Sequence, residues 1–274
     1  HMKSILFLVT VNLAIEIYSL MDVTMMNFMS SKESIAFYKY GSAIEKMLLQ
    51  VVNTFTMILV PRISYYHREN KTAEFNQLVS KGLKLIILTS IPMIVGIYFT
   101  ADFLIQQMYG VQYANSAIII KMFSLLLLVS PIGYLLGSRM LLVTNHENKM
   151  VICVGIGAII NLLGNALLIP QIHEFGASIA SILSEIVVMI VYVNYGKKYF
   201  KLINIGQTVV KTLTAAFFMA VYLFFCSRLS FNGWFVLTLQ VVGAIVIYGT
   251  TLLVLREEVI YQYYKVVINK IRLK

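Results

Sequence analysis

Three acidic residues in apolar runs carry the first hint of chemistry. Asn12, Glu16 and Ser19 fall on one narrow helical face, with Asp22 at its edge. Further on, Ser178, Ser181 and Glu185 form a second polar stripe at helical spacing. An ionisable side chain near the centre of a bilayer costs about 2.5–3.5 kcal/mol on insertion scales, so each asks for a partner or a wet cavity. Glu16, Asp22 and Glu185 therefore read either as acids that couple transport to an ion or as acceptors that orient a helix bundle. Ser42, Lys46, Gln50 and Asn53 make a third stripe, at steps of four, four and three. A helix with such a flank lines a wet interior. Lys46 can attract an anionic group there, and Gln50 and Asn53 can hydrogen-bond sugar hydroxyls; the alternative is a lysine snorkelling to the interface. Glu45, adjacent in sequence, is expected to point elsewhere.

Lys121 and Arg139 bracket another apolar run near its two ends, where snorkelling competes with substrate binding. Pro131 lies between them, and broken helices often border substrate sites. Gly157, Asn161, Gly164 and Asn165 share one helical side, a pattern for close helix approach. Soluble-enzyme signatures are missing: no phosphate loop of the GxxxxGK[ST] type, no GxSxG and no HExxH occurs. The four histidines are scattered without metal-ligand spacing. A transporter that is not an enzyme, with no cofactor and no metal centre, is the expectation.

The elements that must position these residues follow from composition. The chain has 274 residues, 59% hydrophobic and 12% charged, with mean hydropathy +0.81. That lies far from a soluble domain and from disorder. Windows of about 19 residues place eight spans near 5–29, 41–61, 83–106, 117–143, 151–169, 176–195, 208–227 and 233–255. The first is too long for a signal-peptide core. Pro61 and Pro170 are expected to end spans, and Pro92 and Pro131 to kink them, with Gly133 and Gly137 making the fourth span the most bent. The fold class is thus an all-α polytopic membrane helix bundle of eight transmembrane helices.

The net charge of +10 sits between the spans, which reads as topology and anionic-lipid contact and not as nucleic-acid binding. Seventeen of the 22 Lys and Arg residues fall on one side, which puts both termini in the cytoplasm. In the tail, Ile260, Tyr264, Val267 and Ile271 at helical spacing suit a basic amphipathic helix in the interface. Beyond Lys211 at the start of the seventh span, Arg228, at a boundary, is the only charge through Leu255, and the last two spans are expected to meet lipid or a lipid-like part of a substrate.

Several stretches together resemble the O-antigen and capsule repeat-unit flippases of the multidrug/oligosaccharidyl-lipid/polysaccharide exporter superfamily. They are Ile17-Tyr18-Ser19-Leu20-Met21-Asp22, Val60-Pro61-Arg62, Gly157-Ala158-Ile159-Ile160-Asn161, Asn165 through Pro170, and Phe175-Gly176-Ala177-Ser178. The resemblance implies two six-helix lobes plus two extra helices. This chain would then be the second lobe (1–200), the extra pair (201–255) and a basic cytoplasmic tail (256–274), with the N-terminal lobe missing. His1 before Met2 fits a chain that is tagged or cut from something longer. It further implies that undecaprenyl-diphosphate-linked sugar units cross a bacterial cytoplasmic membrane by alternating access. The similar lipid II flippases hold the lipid tail near the last two helices. Where many relatives carry a basic residue after the aspartate matching Asp22, this chain has Val23, leaving Lys46, Lys121 and Arg139 as cations for a diphosphate. Two rivals stay open: a cation-coupled multidrug antiporter, which needs an acidic and aromatic cavity, and a membrane glycan polymerase or transferase, which needs a large outward loop.

Overall fold

In a lipid-like solvent every backbone polar group must be satisfied within the chain, so apolar runs of this length fold as helices. The computed structural model describes residues 20–228 and 233–272, and among these no strand occurs. Helix α1 covers residues 20–29; the earlier part of the first expected span, with Glu16, lies outside the described residues. Next come α2 (Lys32–Met57), α3 (Val60–Arg68) and α4 (Thr72–Tyr109). The fourth span is segmented into α5 (Ser116–Phe123), α6 (Leu126–Gly133), a π-helical turn (Tyr134–Ser138) and α7 (Arg139–Val143). Then follow α8 (Asn148–Gly196), α9 (Ile205–Cys226), α10 (Trp234–Val254) and α11 (Glu258–Arg272).

Six helical runs among the described residues are long and apolar enough to cross a membrane. One of them, Asn148–Tyr199, is 52 residues long, and it doubles back inside α8. The backbone leaves helical geometry at Ile172 (φ −134°) and at His173 (φ 48°), giving two legs over 148–171 and 174–196. The legs run antiparallel. Gly164 meets Ala180 and Gly176 meets the Leu168 carbonyl so closely that a Cβ at Gly176 would lie 2.5 Å from that oxygen. The small-residue stripe expected to permit close approach does so here.

Two expectations need correction. Pro61 does not end a helix but opens α3, where a proline has no hydrogen bond to lose. The second span also begins earlier than hydropathy shows, because Ser31 caps α2 by accepting from the Ser34 amide at 3.2 Å. Pro170 stands two residues before the bend in α8, close to its expected role.

The two prolines inside spans have a shared solution. Proline removes the hydrogen bond to the carbonyl four residues earlier. For Pro131 that carbonyl is Leu127, and Ser90 Oγ of α4 donates to it at 2.6 Å. For Pro92 it is Leu88, which accepts from the Tyr248 hydroxyl of α10 at 2.8 Å. Each orphaned carbonyl is met by a side chain from a neighbouring helix, so the prolines stitch α6 to α4 and α4 to α10.

The tail is docked. Glu257, fully buried, accepts from Thr208 Oγ1 (3.1 Å) and from the Ile260 amide (3.0 Å), capping α11 against α9. Lys84 of α4 pairs with Glu258 at 2.6 Å. Val259 and Ile260 pack with Leu88, Ala215 and Leu252, whereas Tyr264 is exposed. Ile260 of the expected apolar face thus packs against α4, α9 and α10; the Val267 and Ile271 side chains lie outside the described ones.

Replacing Ser90→Ala or Tyr248→Phe should leave a buried carbonyl unpaired and cost about 1–3 kcal/mol each. Thr89→Ala should cost little, because Thr89 Oγ1 bonds only within its own helix, at the Leu85 and Ile86 carbonyls. Unfolding midpoints of the lipid- or detergent-solubilised variants check this; equal midpoints for all three would contradict it.

Candidate functional site

The Asp22 carboxylate, 6% exposed, is held by four uncharged donors from three helical segments. Its Oδ1 accepts from Asn161 Nδ2 at 2.8 Å and from Asn165 Nδ2 at 2.7 Å, both on the first leg of α8. Its Oδ2 accepts from the Tyr38 hydroxyl of α2 at 2.5 Å and from Ser181 Oγ on the second leg of α8 at 2.6 Å. Hydrogen bonds to a charged acceptor contribute about 1.5–3 kcal/mol each, so the cluster holds α1, α2 and both legs together. No cation neutralises the carboxylate among the described residues. Asn165 Oδ1, on the same amide that donates to Asp22, is buried without a partner.

Beside this cluster opens a polar cavity of about 740 Å³. Asp22, Tyr38, Ser42, Glu45, Lys46 and Glu185 are among the polar groups that line it. Lys46 is exposed and has no ion-pair partner among the described residues. Ser42 is buried, with its hydroxyl turned to the Lys39 carbonyl of its own helix. Gln50 is exposed and Asn53 half-buried, so the lower part of the stripe lies open on this chain. Glu185 accepts from Ser130 Oγ at 2.9 Å, and not from the amides of α8, which serve Asp22.

Glu45 does not point away from the cavity. It is 4% exposed, lies in the cavity's inner wall, and its Oε1 is unpartnered. Neighbours on a helix diverge by about 100°, which still lets one line the mouth and the next the wall of a broad cavity. A charge on the packed side of a helix was the available signal. The other two expected cations sit elsewhere. Lys121 is paired with Asp102 at 2.5 Å and lies 5.7 Å from the Tyr98 ring centroid. Arg139 is half-buried at the start of α7, outside this lining.

On the other side of α2 an apolar groove of about 1000 Å³ runs between α2, α4, α9 and α10. Leu48, Pro92, Gly96, Met219, Ala244 and Tyr248 lie along it. Lys46 and Leu49 therefore face the polar cavity, and Leu48 of the same helix faces the groove. One helix, roughly 10–12 Å across, separates a cation from an apolar channel.

Comparison with known proteins places this arrangement. The chain is 24% identical over 152 residues to the capsular polysaccharide biosynthesis protein CapF of Staphylococcus aureus, an overlap covering 54% of this chain and 37% of that one. Its fold matches a solved structure of the lipid II flippase MurJ in an inward closed conformation, with TM-score 0.72 and 17% identity, over 94% of this chain and 53% of the other. The chain thus spans about half the length of that structure and less of the curated relative. The profile of the family described as lipid II flippase MurJ matches residues 2–244. That match covers nearly the whole chain, and this multi-pass membrane protein belongs to the MurJ lipid II flippase family.

Proposed function

We propose that the chain is the second lobe, with two added helices, of a flippase for undecaprenyl-diphosphate-linked oligosaccharide repeat units. The carrying observation is the position of α2 between the polar cavity and the apolar groove. A lipid-linked saccharide has a charged diphosphate next to a long hydrocarbon, and a diphosphate exposed to hydrocarbon would cost many kcal/mol. Lys46 holds the diphosphate, Gln50 and Asn53 contact the sugar, and the groove along α9 and α10 takes the tail. A capsule-synthesis relative supports a saccharide cargo.

In this reading residues 1–200 form the lobe, 201–255 the added pair and 256–274 a basic tail at anionic lipid. The lobe that this chain does not span closes the cavity in alternating access. The protein sits in a bacterial cytoplasmic membrane with both termini of this chain inside, moves cargo and does no covalent chemistry. Lys121 and Arg139 contribute at the two ends of the path, Lys121 only when it leaves Asp102. Asp22 and Glu185 are the acids available for ion coupling, with Glu16 a third. At Asp22 the uncompensated charge and the spare Asn165 oxygen suit a monovalent cation.

Three carboxylates in the cavity wall favour a second reading, a cation-coupled drug antiporter. Against it, Asp22 and Glu45 are sequestered while Lys46 is exposed.

In proteoliposomes holding both lobes, Lys46→Gln should weaken apparent affinity for a polyprenyl-diphosphate saccharide about 10–100-fold, the equivalent of one charged hydrogen bond. Lys46→Arg should retain most of it. Unchanged affinity in Lys46→Gln would remove the headgroup assignment, and export of organic cations in place of lipid-linked sugar would favour the antiporter. A Cβ at Gly96 meets nothing nearer than the Met219 methyl at 3.7 Å, so Gly96→Phe should fill the groove without unfolding the lobe. Flipping should then fall at least tenfold with the unfolding midpoint held; full activity would rule out the groove as the tail path.

A further inference from the structure

Glu45 poses a problem that the lipid-carrying site does not solve. Its carboxyl is buried within α2, and Oε1 has no hydrogen-bond partner among the described residues. Glu185 lines the same cavity and is close enough to act on it electrostatically. Asp22 has four donors, and Glu185 has Ser130. A buried carboxylate oxygen without a donor has lost hydration and gained nothing in return. Two carboxylates in one enclosure add repulsion, which a single proton removes while also supplying the missing donor.

We propose that Glu45 and Glu185 form a proton-binding site, distinct from Asp22, that is loaded and emptied during transport. One unpartnered oxygen suits a proton, which needs one acceptor, better than a metal ion, which needs a shell of several. Among the described residues no group of three or more metal-binding side chains occurs.

Two neighbouring cavities meet at Glu185. Ser130, Tyr134 and Glu185 line both the polar cavity and a second cavity of about 470 Å³, which extends along α8 to Tyr192. Glu185 is thus in the wall between two spaces, and Tyr192 lies about 10 Å further along its helix. The π-helical turn begins at Tyr134; such turns interrupt regular helices mostly at functional positions. The titratable groups facing the pair are Asp22 from α1, Tyr38 and Lys46 from α2, Tyr134 from the π turn and Tyr192 from α8. Arg139 acts electrostatically on Tyr134, and Glu16 lies outside the described residues.

Lys46 supplies the link to cargo, and this step rests on the headgroup assignment above. Lys46 is the next residue along α2 and lines the same cavity, so its positive field reaches Glu45. An anion bound at Lys46 cancels that field and favours the protonated form. Anion and proton binding therefore promote each other, and by linkage the effect is reciprocal.

Infrared difference spectra of the two-lobed protein in lipid, stepped in pH at constant sodium, should show a protonated-carboxyl band. Glu45→Gln should abolish it, while Glu45→Asp should keep a displaced band and so exclude misfolding as the cause of its loss. A band that survives Glu45→Gln, or one that follows sodium and not pH, overturns the proposal. Inorganic pyrophosphate should move the band's midpoint to higher pH in the wild type and leave it in place in Lys46→Gln. If pyrophosphate has no effect while the band still depends on Glu45, the headgroup assignment fails and the proton site stands.

Discussion

The lobe is organised around one carboxylate whose charge is spread over four neutral donors. Asp22 draws a tyrosine from α2, two asparagines from one leg of α8 and a serine from the other. In a medium that offers no water, each of these groups would be costly alone, so each constrains the others. The legs of α8 approach closely enough for this only because glycines line their contact. The polar cavity lies against the cluster and shares Asp22, Tyr38 and Ser181 with it. A change in what Asp22 binds would therefore be felt at the cavity wall.

The same solvent constraint explains the prolines. A broken helix in hydrocarbon survives only if its freed carbonyls find donors, and here they find them on adjacent helices. Tyr248 does this from α10, one of the two helices that sequence alone leaves without a polar role. Its hydroxyl fixes α10 to α4 while its ring lines the apolar groove. The amphipathic demand on that residue is met at both ends at once.

Hydropathy and charge made the helical class and most span positions legible, because both depend on sums over twenty residues. The bend in the fourth span was also legible, since Pro131, Gly133 and Gly137 act locally. Partners across helices were not. Asn161 and Asn165 advertise a face, but nothing in their spacing says that it meets Asp22, some 140 residues away. Lys121 reads as a free cation until α4 brings Asp102 beside it. Glu45 was misread for a related reason: a one-residue step changes the helix face, but a broad cavity accepts more than one face.

The contrast between Lys46 and Glu45 carries the argument furthest. They are adjacent in sequence, yet one is exposed at the cavity and the other is 4% exposed in its wall. The exposed charge keeps its hydration and so can exchange water for an anion at little cost. The buried one has already lost its hydration, so its energy depends on whatever sits at its neighbour. A single turn of α2 thus places the cation proposed to hold the headgroup beside the acid proposed to take up the proton. Leu48, two residues along, faces the hydrocarbon-like groove. Headgroup, proton and tail would then be read by one helix, and rotation or tilt of that helix would act on all three together.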